Sequence, residues 1–224
     1  MKGPRIVVAA CALAVPLQAA DAALNVRASL ETAPCVLAAA SVYSRPVAVE
    51  TGALRGPGPA DVLVGSGVEI NRALEGGDAV VGSEEPLARI PWVLSVAAGN
   101  PLKITGLADL ARPGLEVFVL GGPAAYEARR ALTERQAERV RETRDGVALR
   151  RAAIALVPLS MAGGERVAVD VEPIPVGAAV SVRSTRLAEA RAFVSFLVSE
   201  KGQAAFVACG LTPASGTVTP SPTR

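Results

Sequence analysis

The most informative part of this sequence is Ala88–Ala111, ARIPWVLSVAAGNPLKITGLADLA. Its first half, Ile90–Ala98, is almost continuously apolar, which is typical of a strand that is buried on both faces. Gly99-Asn100-Pro101 then predicts a turn, and a short helix is predicted near Gly106. The chain therefore finishes one strand here, turns, and begins a new structural unit.

The segments on both sides of this stretch alternate between strands and helices. Such alternation predicts an α/β architecture with mostly parallel sheets flanked by helices. Because it occurs in two groups that flank a crossover near Pro86–Val96, the sequence predicts two lobes with a ligand cleft between them. The predicted strands are Leu24–Ala28, Val47–Val49, Asp61–Val64, Glu116–Leu120, Ala153–Val157, Val167–Val171 and Val176–Val182, and the main predicted helices are Pro34–Val42, Val68–Leu74, Ala124–Glu138, one that includes Leu187–Leu197, and Glu200–Cys209.

The composition excludes several kinds of function. The chain of 224 residues contains no histidine, which excludes His-based acid–base catalysis, Ser-His-Asp and Cys-His nucleophiles and ordinary zinc sites. The formal net charge is only +2 and no basic stripe is present, which argues against nucleic acid as a partner. No base is paired with a nucleophile at a recognisable spacing. We therefore expect a binding protein without a cofactor or metal rather than an enzyme.

The N-terminus has the pattern of a secretory signal peptide. Lys2 and Arg5 give a positive start, and Ile6–Leu17 is apolar but well short of the ~20 residues that a membrane helix needs. A small-x-small cleavage pattern follows at 20–22. This arrangement predicts export to the periplasm.

We expect signal peptidase to cleave the chain before Ala23. N-terminal sequencing of protein taken from the periplasm should begin at Ala23 or within about two residues of it. A chain that keeps Met1, or that carries a lipid on Cys11, would contradict this prediction.

Small polar residues follow several of the predicted strands. Ligands of parallel α/β sheets bind beyond the carboxyl ends of the strands, where this chain places Ser29, Thr51 and Gly65-Ser66-Gly67. Hydroxyls, glycine backbone and the free amides at helix starts can hold a small oxyanion without a counter-charge. The alternative is that Ser29 and Ser66 are ordinary helix N-caps.

The order of elements from Leu24 to about Pro213 resembles the molybdate-binding family of periplasmic substrate-binding proteins that serve ABC transporters. Ala28-Ser29-Leu30 matches the start of that family's mature chain, and Ala60-Asp61-Val62-Leu63-Val64 matches its Ala-Asp-strand motif. The resemblance implies a two-lobed periplasmic-binding-protein fold of type 2.

The resemblance also implies a set of ligand contacts. Ser29 inherits the role of the family's first anion-binding serine, and Thr51 is the nearest candidate for the second. Ser66 corresponds to a residue that offers its backbone amide, and Val147 corresponds loosely to an amide donor in the second lobe. Where the family has a tyrosine that donates to the anion, this sequence has Pro158, so contacts from the second lobe should differ.

Two cysteines remain after the predicted cleavage, Cys35 and Cys209. An even pair in an oxidising compartment predicts one disulfide, and the alternative is two buried thiols that behave as small hydrophobes. The resemblance supports the pairing, because the last helices of the family return to the side of the first lobe where the first helix lies.

The function implied by the resemblance is that of an exported monomer which captures a small oxyanion, molybdate- or tungstate-like, and presents it to the membrane permease of an ABC transporter. Three alternatives stay open: a relative that has lost or changed its ligand, an enzyme on the same fold, and the sensing domain of a regulator. The implied organisation is a signal peptide at 1–22, a first lobe at 23–87 and 178–212, a second lobe at 88–177, and a disordered tail at 213–224.

Overall fold

The computed structural model describes residues 22–122 and 126–214. Most of the predicted signal peptide and of the predicted tail therefore lies outside the described residues. The described chain forms two sheets flanked by helices, which confirms the predicted two-lobed α/β fold. The strands are β1 (Leu24–Ala28), β2 (Val47–Thr51), β3 (Val62–Ser66), β4 (Glu85–Ile90), β5 (Trp92–Val96), β6 (Val117–Leu120), β7 (Val140–Thr143), β8 (Ile154–Pro158), β9 (Glu165–Ala168), β10 (Ile174–Val180) and β11 (Thr212–Pro213). The α-helices are α1 (Ala33–Ser41), α2 (Gly67–Glu75), α3 (Tyr126–Arg130), α4 (Glu134–Ala137), α5 (Gly146–Arg151), α6 (Leu187–Val198) and α7 (Glu200–Ala208), and two 3₁₀ helices cover Leu107–Ala111 and Leu159–Met161.

The first lobe is built on a six-stranded sheet with the order β11-β4-β10-β3-β1-β2. β1 lies parallel to both β2 and β3, whereas β10 and β4 run antiparallel to their neighbours. All five residues of β3 are buried, as expected for a strand covered on both faces. The parallel arrangement of β1, β2 and β3 brings their carboxyl ends to one edge of the sheet.

The second lobe is built on a five-stranded sheet with the order β7-β6-β8-β5-β9. β6 is parallel to β7 and β8, and β5 is antiparallel to β8 and β9. The carboxyl ends of β6 and β7 therefore lie together, which repeats the arrangement of the first lobe.

The chain crosses between the sheets twice. It passes from β4 to β5 at Pro91 and returns from β9 to β10 through residues 169–173. The prediction of one strand over Ile90–Ala98 is wrong at this point, because Pro91 has no N–H to donate to a ladder and separates two strands that belong to different sheets. The crossing strands run back across each lobe, so both sheets are mixed rather than mostly parallel as predicted.

The predicted helix Ala124–Glu138 is also interrupted. Its described part consists of α3 and α4, with a turn between them. Thr133 ends the turn as the N-cap of α4, and its N–H and hydroxyl both donate to Oε1 of Gln136, at 2.7 and 2.9 Å. This reciprocal cap starts a new helix at a place where the sequence pattern alone predicts continuity.

The predicted Cys35–Cys209 disulfide is wrong for this structure, because both cysteines are free thiols. Cys35 is completely buried in α1, and Cys209 is half-buried at the end of α7, which packs against α1. Burial, followed by the neighbouring Cys209 thiol, raises the pKa of the Cys35 thiol. Cys35 therefore acts as a small apolar residue in the core of the first lobe.

Candidate functional site

A cavity of about 240 Å³ lies between the lobes, at the carboxyl ends of strands from both sheets. Parallel strands place their carboxyl ends at one sheet edge, and here the two edges face each other across the cleft. The first lobe contributes the turns after β1 and β2 and the first turn of α2, and the second lobe contributes the turns after β6 and β7. The lining residues are Ser29, Leu30, Glu31, Thr51, Gly52, Ala53, Glu69, Leu120, Gly121 and Arg144.

Ser29 lines this cavity but is only 2% exposed. Its N–H donates to Val64 O of β3 at 2.9 Å, which fixes the turn after β1. Its hydroxyl lies 3.0 Å from the hydroxyl of Thr32 and also acts to lower the pKa of the nearby Glu31 carboxyl. Thr32, and not Ser29, is the N-cap of α1. The hydroxyl of Ser29 therefore organises the polar groups of the cavity wall.

Thr51 ends β2 beside Ser29, because Ala28 and Thr51 are opposite each other in the ladder between β1 and β2. The side chain is exposed and lines the cavity. The next residue, Gly52, donates its N–H to Ala28 O at 2.9 Å, which holds the turn against β1. The structure thus brings Ser29 and Thr51 together in one wall.

Ser66 occupies a different position from the one expected of a ligand contact. It is 1% exposed and is not among the residues that line the cavity. Its N–H and hydroxyl both donate to Oε2 of Glu69, at 3.3 and 3.0 Å, in a capping box at the start of α2. The amide that the resemblance assigned to the ligand is therefore used inside the protein.

In the second lobe, Val147 was predicted to donate its amide to the ligand, and Pro158 stands where the family has a tyrosine. Val147 is 46% exposed, does not line the cavity, and donates its N–H to Oδ1 of Asp145 at 2.8 Å. Pro158 is buried in β8 opposite Trp92. Neither residue brings a donor to the cavity wall.

The second lobe contributes Arg144 to the cavity wall, and this residue was not predicted from the sequence. It directly follows β7, lines the cavity, and forms no ion pair with the residues that the structure describes. Its guanidinium lies against Gly122, where an added Cβ would come within 2.9 Å of the Cζ atom. The Arg144 side chain could move away from such a Cβ, but the φ of Gly122, +105°, favours glycine there.

Two carboxyl groups face Arg144 from the first lobe. Glu31 is 4% exposed, and its Oε1 is buried without a hydrogen-bond partner among the described residues. Burial, followed by the charge of nearby Glu69, raises the pKa of Glu31 to about 7, although hydrogen bonds from its own N–H and from Ser29 act in the opposite direction. A buried carboxyl beside a second carboxyl therefore holds a proton up to neutral pH.

A second cavity of about 290 Å³ adjoins the first and shares Ala53, Glu69 and Arg144 with it. Arg55, which pairs with Asp78 at 3.0 Å, and Arg72 add further positive charge there. The two cavities are thus lined by three arginines and two carboxyl groups rather than by uncharged groups alone. Among the described residues, no three carboxylates or cysteines converge to hold a metal ion.

A weak sequence signal for these charged residues did exist. Glu31 lies two residues after Ser29, and Arg144 directly precedes the strand-end segment Asp145-Gly146-Val147. Charged residues in loops are common on any surface, so position alone did not distinguish them from solvated side chains.

In the described parts of the chain, no helix is long and apolar enough to cross a membrane.

Two α/β lobes that enclose a polar cavity define the class of two-lobed solute-binding proteins. The family model described as bacterial extracellular solute-binding protein matches residues 20–212. The chain therefore belongs to this family. No curated protein matches the sequence.

Solved structures share the fold at low sequence identity. Peb3 from Campylobacter jejuni is 19% identical with a TM-score of 0.67, and the match covers 84% of this chain and 99% of that chain. The periplasmic molybdate-binding protein of Azotobacter vinelandii is 18% identical with a TM-score of 0.69, over 84% and 98% of the two chains. The sulfate-binding protein SubI of Mycobacterium tuberculosis is 19% identical with a TM-score of 0.69, over 87% and 88%.

Proposed function

We propose that this protein captures a small oxyanion between its lobes in the periplasm and delivers it to the permease of an ABC transporter. The observation that carries the proposal is Arg144, a cation without an ion-pair partner among the described residues, which faces Ser29 and Thr51 across the cavity. An arginine presents a planar fork of donors that suits oxyanions.

The volume of the cavity and its position between the lobes support this proposal. A volume of about 240 Å³ suits a tetrahedral oxyanion or a small organic acid better than a peptide or a sugar chain. The ligand would contact both lobes, so its binding would favour a closed arrangement of the two. Two structural neighbours are named as binding proteins for molybdate and sulfate, which agrees with an oxyanion but does not select one.

A thermal-shift screen tests the proposal directly. Phosphate, sulfate, molybdate, tungstate and small carboxylates are added to the mature protein, each at a hundredfold excess over Kd where Kd is known. Binding to the folded state alone raises the free energy of unfolding by about 2.7 kcal/mol under that condition. The proposal fails if no oxyanion changes the unfolding temperature.

We expect Arg144→Ala to weaken oxyanion binding about 10- to 150-fold, because it removes a charge-assisted contact from the cavity wall. Calorimetry with the best oxyanion of the screen measures this loss. Arg141→Ala is the matched control: Arg141 lies on β7, three residues before Arg144, but pairs with Glu116 at 3.0 Å, and neither Arg141 nor Glu116 lines the cavity. Equal affinities of the two variants would remove Arg144 from the site.

A specific observation favours one second candidate, a family member with a changed or lost ligand. The amides of Ser66 and Val147 are used inside the protein, and Pro158 offers no hydroxyl. A molybdate site of the expected kind is therefore incomplete here. A screen in which only non-tetrahedral solutes bind, or none does, would favour this candidate.

A further inference from the structure

Glu31 lines the cavity, and one of its carboxyl oxygens has no hydrogen-bond partner among the described residues. Three buried side-chain oxygen or nitrogen atoms in the described chain have no hydrogen-bond partner: Glu31 Oε1, Trp92 Nε1 and Gln203 Oε1. Of these three residues, only Glu31 lines the cavity. A buried carboxyl oxygen without a donor is costly, so its position beside the cavity calls for a donor that comes from the solute.

The backbone of Glu31 is held firmly while its carboxyl group can turn. Ser160, in the 3₁₀ helix Leu159–Met161 of the second lobe, donates its hydroxyl to Glu31 O at 2.6 Å. The terminal torsion of a glutamate has a broad energy minimum, so the carboxyl can rotate at little cost. Oε1 can therefore meet a group in the cavity without movement of the main chain.

The groups that face the Glu31 carboxyl define what the solute must supply. Ser29 lies beside it in the turn after β1, and Glu69 presents a second carboxyl from α2. Oε2 of Glu69 already accepts two hydrogen bonds from Ser66. Across the cavity, Arg144 is the charged group of the second lobe.

Among the described residues, the remaining elements that line the cavity contribute no charged side chain beside Glu31. The turn after β2 contributes Thr51, Gly52 and Ala53, and the end of β6 contributes Leu120 and Gly121. The wall thus pairs a cation on one lobe with two acceptor carboxyls on the other. A solute that fits both must be anionic toward Arg144 and must carry a donor toward Glu31.

We propose that Glu31 makes the cavity selective for oxyanions that retain an acidic hydroxyl, such as hydrogen phosphate, over fully deprotonated dianions such as sulfate and molybdate. This inference rests on the proposed oxyanion-binding function and names the class of its ligand. Hydrogen phosphate can donate its hydroxyl to Oε1 while its other oxygens accept from Arg144. Sulfate and molybdate have only acceptor oxygens at pH 8, where Glu31 has released its proton, so their contacts with Glu31 and Glu69 are unfavourable and cost affinity.

The same arrangement predicts how binding depends on pH. Uptake of a proton by Glu31, beside Glu69, removes a negative charge beside the ligand and supplies a donor. The pKa of Glu31, raised to about 7 by burial and by Glu69, places this uptake between pH 8 and pH 5.5. Sulfate does not change its own charge over that range, so it reports on the protein alone.

The test is calorimetry of phosphate, sulfate and molybdate with the mature protein at pH 8, in a buffer free of competing oxyanions, followed by sulfate at pH 5.5. We expect phosphate to bind at least about 10-fold more tightly than sulfate at pH 8, and sulfate to bind more tightly at pH 5.5 than at pH 8. Glu31→Gln, which keeps the shape and offers an amide donor, should weaken phosphate binding about 10-fold or more and should strengthen sulfate binding. Glu75→Gln, an exposed change near the end of α2, should alter neither affinity.

The outcomes separate the two proposals. Sulfate or molybdate affinity equal to that of phosphate at pH 8, or a Glu31→Gln variant with unchanged affinities, overturns the role of Glu31 while oxyanion binding itself stands. Absence of binding by phosphate, sulfate and molybdate at pH 8, and by sulfate at pH 5.5, overturns the proposed function, and this inference with it.

Discussion

Glu31→Gln should stabilise the ligand-free protein at pH 8 by roughly 3 kcal/mol. The wild-type carboxyl is buried, has one oxygen without a donor and lies near Glu69. Its pKa rises from 4.5 to about 7 on folding, and each pKa unit corresponds to about 1.4 kcal/mol. The glutamine side chain would occupy the same space without a charge, so the variant would avoid this destabilisation.

The pH window of the effect follows from the direction of the pKa shift. Between pH 4.5 and about 7 the folded wild type holds a proton that the unfolded chain has already released. Raising the pH through this window therefore favours the unfolded state and lowers the free energy of unfolding. Glu31→Gln lacks this loss, so the two proteins should differ little below pH 4.5 and most above pH 7.

Thermal unfolding of both proteins from pH 4 to pH 8.5, in buffers without phosphate or sulfate, measures the effect. For a chain of this size, 3 kcal/mol corresponds to about 6–12 °C in unfolding temperature. Other carboxyls, including Asp109 and Glu189 whose pKa values are lowered, cancel in the difference between variant and wild type. Glu75→Gln should stay within about 0.5 kcal/mol of the wild type, and a Glu31→Gln difference that is absent or independent of pH would contradict the prediction.

Much of the fold could be predicted from the sequence because apolar runs separated by Gly and Pro are local signals. β1, β3 and β8 are short buried strands of this kind, and each was predicted to within two residues at either end. One error occurred where a distant contact decides the outcome, and another where a short-range helix cap interrupts a helical pattern. Pro91 separates two strands because these belong to different sheets, and Thr133 starts a helix because Gln136 completes its cap.

The candidate site was harder to predict, for a physical reason. Ser29 and Thr51 line the cavity, and their position could be predicted because the ends of strands are readable from the sequence. The roles of Glu31 and Arg144 depend on how the two lobes face each other, and no local pattern encodes that arrangement. Ser66 is the opposite case, in which a position readable from the sequence has another role. Its amide at the start of α2 donates to Glu69, three residues later, rather than to a ligand.

A second large effect is expected at Asp61, in the Ala60-Asp61-Val62-Leu63-Val64 motif. Asp61 is 6% exposed and directly precedes β3, at the end away from the cavity. Its Oδ2 accepts from Asn25 N of β1 at 2.9 Å, and its Oδ1 accepts from Ser184 Oγ, before α6, at 2.7 Å. One buried carboxylate thus joins the start of two strands to the segment that leads into the C-terminal helices.

Asp61→Ala should lower the free energy of unfolding by about 3 kcal/mol, because it leaves a buried hydroxyl and a backbone N–H without their acceptor. Urea unfolding followed by circular dichroism gives this value as a lower midpoint with an unchanged slope. Asp170→Ala, at an exposed position, should change the midpoint little, and Ser184→Ala should cost less than Asp61→Ala because it removes a donor together with its bond. Oxyanion affinity should survive in folded Asp61→Ala, since Asp61 does not line the cavity. A midpoint equal to that of Asp170→Ala would show that the carboxylate does not hold the three segments together.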